Sequence, residues 1–264
     1  MFLDNLDFNN SSIPKTILGY GPFMAELYFG HRFRLYQLDL YDNPQNIADV
    51  IIESYNQGVR AINLVNDSHL LEAYDIAREN GCEMKVIATI GKSDVDYLNP
   101  NYEVAKEVDW DEDIELFSQY DCPLMIVDEF ITDSQDWKLI SKMLSEINNA
   151  GSLSGLATAF PSKTVDLIKD NLDLDSFDFY MIPFNSLSYM MDISAFNSAQ
   201  REEFKQKLID LDKKVIATRI LAAGILKPKD AFEFFKNIDY IDLICMGVAS
   251  VDEAKEDFSL LKQY

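Results

Sequence analysis

Residues 58–90 read GVRAINLVNDSHLLEAYDIARENGCEMKVIATI, and this stretch decides the fold. It opens on an apolar run, Arg60 to Val65, and closes on another, Lys85 to Ile90, with a helix-patterned segment between them. Most of the run positions show no polar alternation, which is what parallel strands covered by helices on both faces require. Working outward, the same cadence recurs at Thr16 to Gly21, Leu124 to Val127, Gly155 to Ala159, Phe179 to Ile182, Lys214 to Thr218 and Leu243 to Met246. Eight strand-helix units in one domain-sized chain predict an α/β fold, a single (β/α)8 TIM barrel spanning residues 1–264. Residues 1–15 form an extension ahead of the first run, and Phe2, Leu3, Leu6 and Phe8 are apolar enough to cover the barrel bottom. Such a fold puts chemistry at the carboxyl ends of the strands without saying which chemistry.

Composition narrows the partners. With 23 Lys and Arg against 45 Asp and Glu, the formal charge of -22 repels nucleic acid and anionic lipid, so neither is an expected partner. A small molecule is. Cys82, Cys122 and Cys245 are widely spaced, show no CxxC pattern and read as reduced core thiols. Asp4 and Asp7 stand where a signal peptide carries positive charge, and no apolar run reaches membrane-span length, so a soluble, cytoplasmic protein is expected.

Helix punctuation agrees with the barrel. Asn43 and Pro44 open the first barrel helix, Gly58 closes it, and Ser250 with Glu253 forms a capping box for the last. Ser162 and Ser198 are expected caps of the fifth and sixth helices, and Pro228 opens the seventh. Three strand-to-helix connections are long: residues 20–42, aromatic and locally basic; 92–108, with Tyr97 and Tyr102; and 183–197, rich in Met, Ser and Phe. They roof a pocket or pack on one another.

A buried parallel strand tolerates polar residues where it emerges into the pocket. By that rule Asn66, Asp67, Lys92, Asp128, Glu129, Thr158, Asn185 and Arg219 are candidate site residues. Lys92 and Asp128 leave neighbouring strands and are the leading catalytic pair. A lysine beside a carboxylate serves as proton donor, Schiff-base nucleophile or orienter of a tyrosine acid, or the two form a rim ion pair. His69, at the start of the second helix, is a further catalytic candidate or a capping side chain. Substrate contacts are assigned to His31, Arg32, Glu129 and Asn185, with Arg32 and Arg34 either gripping an anion or pairing with Asp39 and Asp42. Asp128 and Glu129 are adjacent and point to opposite faces of a strand, so no metal is expected. The step from Gly247 to Ser250 frees backbone amides where barrels hold anions.

Toward the end the chain reads Ala217-Thr218-Arg219-Ile220-Leu221-Ala222-Ala223-Gly224, then Met246-Gly247-Val248-Ala249-Ser250 with Glu253. This resembles the carboxyl-terminal part of aldo/keto reductase-like proteins. More loosely, residues 58–63 resemble that family's second strand and residues 183–187 its sixth-strand exit. The resemblance implies NADPH, with Arg219, Gly224, Gly247 and Ser250 beside its phosphates. It also implies a catalytic set of Asp, Tyr, Lys and His, whose matching positions here hold Asn63, then Ser68 or His69, then Lys92 displaced by Gly91, then Asp128. Only the lysine matches.

The leading expectation is therefore an aldo/keto reductase-like oxidoreductase acting on a small carbonyl or alcohol with NADPH, its catalytic set not intact. The alternatives are an aldolase-like lyase or isomerase that uses Lys92, and a barrel that binds a ligand without catalysis. In the last case Phe184, Leu187, Tyr189, Met190 and Met191 would form an exposed apolar contact surface.

Overall fold

A computed structural model describes residues 4–93, 95 and 99–264; Phe2, Leu3 and Tyr97 lie outside the described residues. The chain begins with an antiparallel hairpin of β1 (Asn5–Phe8) and β2 (Ser11–Pro14). Eight parallel strands follow: β3 (Thr16–Leu18), β4 (Ala61–Leu64), β5 (Lys85–Ile90), β6 (Leu124–Val127), β7 (Leu153–Ala157), β8 (Phe179–Pro183), β9 (Lys214–Thr218) and β10 (Leu243–Met246). They close into a ring in chain order, with β10 bonded to both β9 and β3. The protein is a (β/α)8 barrel.

Two apolar layers follow from the two-residue side-chain period of the strands. One set, including Val86, Ala88 and Ile90 of β5 and Met125 and Val127 of β6, packs outward on the helices. The other fills the barrel: Ile17, Ala61, Ile87, Leu124, Ile126, Ala157, Phe179, Met181, Ile216, Leu243 and Cys245. From the hairpin, Ile13 joins this inner cluster, Leu6 and Phe8 pack against it, and the Phe8 ring meets Phe179 edge-on at 5.6 Å. Continuing the inner parity upward puts Gly19, Asn63, Thr89, Asp128, Thr218 and Gly247 at the mouth.

Helix starts depart from expectation in places. Ser250 accepts a hydrogen bond from the Glu253 N-H at 3.1 Å, as a capping box requires. Asn43 precedes Pro44, but its side chain donates to the Leu38 carbonyl instead of capping. Ser162 lies inside its helix, behind Pro161; the free amides of Ser162 and Lys163 are taken by Asp192, a carboxylate from the connection after β8. Ser198 is the first helical residue, and Asn197 supplies the cap. No helix among the described residues is long and apolar enough to cross a membrane.

The exit of β5 needs a backbone that ordinary residues avoid. Lys92 shares the outward parity of Ile90, but Gly91, at φ +79°, redirects the chain. A Cβ on Gly91 would lie 2.3 Å from Ile131 Cδ1. Its N-H donates to Asp113 Oδ2 at 2.7 Å, and the other oxygen of that buried carboxyl accepts from Asn66 at 2.8 Å. Gly91→Ala adds left-handed strain to overpacking and is expected to lower the unfolding free energy by about 3 kcal/mol, measurable by urea denaturation.

Candidate functional site

The inner-parity residues at the strand ends line a cavity of about 320 Å³ at the carboxyl end of the barrel. Its floor is Asn63, Thr89, Ala157, Met181 and Cys245, and its walls carry Asp128, Glu129, Arg219 and the first-loop residues Tyr20, Glu26 and Tyr28. Several polar groups of the floor and wall are already bonded. Asn63 donates to the Ile87 carbonyl at 2.7 Å and to Thr89 Oγ1 at 3.0 Å. Thr158 bonds Asp133 at 2.5 Å, and the second Asp133 oxygen takes the Ala159 N-H. All three cysteines are free and buried, and burial pushes the Cys245 thiol up to about 12, so it is inert as a nucleophile near neutral pH.

Charge is concentrated at the mouth, on side chains from the first loop and from the exits of β5, β6 and β9. Lys92 Nζ lies 3.2 Å from Glu26 Oε1, with side chains only 16% and 8% exposed. Arg219 Nη2 lies 2.6 Å from Glu129 Oε1, and its guanidinium stacks 4.8 Å over the Tyr28 ring. Burial alone would lower the lysine pKa, but Glu26, Asp128 and Glu129 outweigh it, so Lys92 is held above its ordinary value as an ammonium. Asp128 is different. It is buried, and one oxygen caps the following helix by accepting the Phe130 N-H at 3.0 Å. Burial raises its carboxyl to about 7; Lys92 opposes that rise and Glu129 reinforces it. Burial also raises Tyr20 and Tyr28, with Glu26 and Glu129 adding to the rise in both, so both remain phenols near neutral pH.

The site residues expected from sequence fall into distinct groups. Asp128, Glu129, Arg219, Arg32, Gly224 and Gly247 line the cavity, and Lys92 reaches its wall through Glu26. His69 does not line it. That side chain is 43% exposed, packs 4.7 Å from the Tyr41 ring and approaches Asp67 at 3.8 Å, on the outer side of a helix start whose cap is Asp67. His31 is exposed and outside the lining. Asn185 is fully buried but braces the backbone: its amide donates to the carbonyls of Tyr189 and Arg219, and its oxygen takes the Tyr189 N-H. Ser250 is exposed and engaged as a cap. Arg34 bonds Gln37 at 2.6 Å rather than Asp39 or Asp42. Among the described residues no group of three or more His, Cys, Asp or Glu is arranged to hold a metal ion. Of the apolar patch expected after β8, Phe184 is fully buried among Phe204, Phe234, Phe235 and Tyr240, and Leu187 is exposed.

Three contributors escaped the sequence reading: Tyr20, Glu26 and Tyr28, all from the first long loop. Tyr20 follows β3 by two residues, so the strand-exit rule reaches it. Glu26 had a weaker signal, a lone carboxylate in an apolar and aromatic stretch. That loop is tied down at several points. Tyr189 donates to the Tyr28 carbonyl at 2.5 Å, and Arg32 donates to the Gly224 carbonyl at 3.2 Å. Its residues also cover the two glycines of the rim: a Cβ on Gly247 would lie 2.5 Å from Pro22, and one on Gly224 1.8 Å from the Arg32 guanidinium.

No protein-family model matches the sequence, and no curated protein sequence matches it. Solved structures do resemble the fold. A putative aldo-keto reductase from Pseudomonas aeruginosa superposes with a TM-score of 0.63 at 14% identity, over 96% of this chain and 92% of that one. An aldo/keto reductase from Klebsiella pneumoniae, in complex with NADP and acetate, gives 0.59 at 11% identity, over 98% and 89%. A sugar phosphate isomerase/epimerase from Parabacteroides distasonis gives 0.51 at 12%, over 94% and 93%. The chain is thus a TIM barrel similar in fold to the aldo/keto reductases. At these identities the likeness concerns architecture.

The raised Asp128 carboxyl has a consequence for stability. Its unfolded pKa is near 4 and its folded value about 7, so the folded state binds the extra proton between those values and stability falls as pH rises through that window. Asp133, also raised to about 7 by burial, adds to the slope. Asp128→Asn keeps a capping side chain and removes the buried charge. Urea denaturation at pH 5 and pH 8 is expected to show a smaller loss in the variant than in the wild type, by an amount on the order of a few kcal/mol.

Proposed function

We propose that the cavity binds a small molecule bearing a carbonyl or hydroxyl group and that Asp128 moves the proton at that group. The observation that carries this reading is a buried carboxyl on the inward parity of β6, facing the cavity and raised to about 7. A carboxyl in that range is populated in both forms near neutral pH, which suits a general acid or base. Lys92 is the electrostatic partner. Its ammonium stands behind Glu26 of the wall, and its field favours negative charge developing on a substrate oxygen. Removal of a proton from the carbon beside a carbonyl leaves that charge as an enolate, and Asp128 is the group to take the proton and return it.

The same electrostatics oppose an aldolase that works through Lys92. Schiff-base formation needs the neutral amine, and three carboxylates favour the charged form. For a reductase, the fold supports an architecture of that class, and NADPH would supply a hydride to the carbonyl carbon. The residues that the resemblance assigns to its phosphates do not fit that role. Arg219 is held by Glu129, Gly224 and Gly247 are covered by Arg32 and Pro22, and Ser250 caps its own helix. The tyrosines of the wall do not replace the missing acid, because burial, reinforced by the nearby carboxylates, makes them weaker acids.

The test follows deuterium. Small uncharged hydroxycarbonyl compounds are incubated with the protein in D2O, and loss of the carbon-bound proton beside the carbonyl is followed by NMR. Wild-type protein is expected to catalyse exchange, and Asp128→Asn to slow it by roughly 10²- to 10⁴-fold. Exchange that persists in the variant would remove the assignment.

A further inference from the structure

We propose that this site excludes anionic ligands, substrate phosphates and dinucleotides alike, and takes uncharged oxygen-bearing molecules, because the chain's own carboxylates already neutralise the cations of its inner wall. The inference rests on the proton-transfer reading for the kind of group bound, and on geometry of its own for the charge.

Of the cations about the cavity, Arg219 on the lining and Lys92 behind Glu26 each meet a carboxylate, while Arg32 and Lys227 line the outer part. The Arg219 guanidinium gives Nη2 to Glu129 at 2.6 Å and its face to the Tyr28 ring. Lys92 lies against Glu26 at 3.2 Å. Asp128 adds a third carboxyl to the same wall, so the region has at least as much acid as base. A phosphate entering here would have to displace a buried carboxylate from its partner or sit beside several of them. Neither is favourable where little water remains to screen the charges. A neutral carbonyl or hydroxyl meets no such penalty, and Thr218 and Tyr20 offer hydroxyls on the lining.

The rim adds two carboxylates, Glu253 and Asp257, beside its cations Arg32 and Lys227. At the start of the helix Val251–Leu261, Glu253 Oε2 accepts the Ala249 N-H at 2.7 Å, so the anion at this position is the chain's own side chain. Asp257 follows one turn later on the same wall. Pro22 and Arg32 occupy the space beside Gly247 and Gly224, where close backbone approach would otherwise be open. A cavity of about 320 Å³ also lies at the small end of the range for ligand sites, suiting a compact molecule.

Calorimetric titration with inorganic phosphate and fluorescence titration with NADPH test the proposal on the full chain. Wild-type protein is expected to show no saturable binding of either probe up to about 1 mM, the weak-binding limit of roughly 4 kcal/mol. Glu129→Gln preserves size and a hydrogen-bonding oxygen while releasing the Arg219 charge, and should raise phosphate affinity about tenfold or more. Saturable wild-type binding of either probe in the micromolar range overturns the proposal. So does a Glu129→Gln protein with unchanged circular dichroism and melting temperature that gains no affinity. If that variant fails to fold, the wild-type titrations decide alone. Asp128-dependent exchange together with tight NADPH binding would sink this inference only. Anion exclusion without exchange would sink the proton-transfer reading only.

Discussion

The mouth of this barrel holds more carboxylate than cation on largely buried side chains, and mutual neutralisation is what makes that arrangement tolerable. A buried charge is costly without a partner. Lys92 and Glu26 form one pair, Arg219 and Glu129 another, and Asp128 is left to share the field of both. Lys92 and Arg219 each already face another carboxylate, so the burial of Asp128 tells on its own ionisation. The same pairing organises the chain. Glu26 comes from the loop after β3 and Lys92 from the exit of β5, so their contact ties two long connections across the mouth. Arg219 performs the equivalent service for the exits of β6 and β9, with Tyr28 of the first loop beneath it.

Backbone conformations at the rim show how far the structure goes to hold that geometry. Arg219, Ala222 and Ala223 all adopt positive φ, a region L-residues avoid. Asn185 offsets part of the cost by donating to the Arg219 carbonyl from a fully buried position. That explains why a polar residue is buried after β8 with no view of the cavity. Strain of this sort persists where surrounding contacts over-determine it, and it clusters at functional rims.

The barrel was legible in the sequence because parallel strands covered on both faces leave uninterrupted apolar runs, and eight of them leave one closed solution. Side-chain direction was legible in part. Asp128 continues the inward parity of Leu124 and Ile126, so its place in the cavity follows from counting along β6. Counting fails for Lys92, since the positive φ of Gly91 breaks the two-residue period just before it. His69 misled because nearness to a strand end in sequence does not fix which side of a helix a residue occupies; Asp67 took the cap and left the histidine outside. Glu26 could not be found by any strand rule, because its position depends on how a long loop folds back over the mouth. The resemblance to aldo/keto reductases located the architecture and the cavity-lining glycines, but spacing alone did not reveal that Arg32, Pro22 and Glu253 fill the space around them.

Carbon-13 NMR of the aspartate carboxyls measures directly how Asp128 titrates under the influence of Lys92. Assignment by Asp128→Asn identifies the resonance, whose midpoint is expected near 7 in the wild type. Because Lys92 favours the ionised carboxylate, Lys92→Met should move that midpoint upward. A midpoint near 4 in the wild type, or one indifferent to Lys92, would contradict the picture of a buried, shared charge field at the barrel mouth.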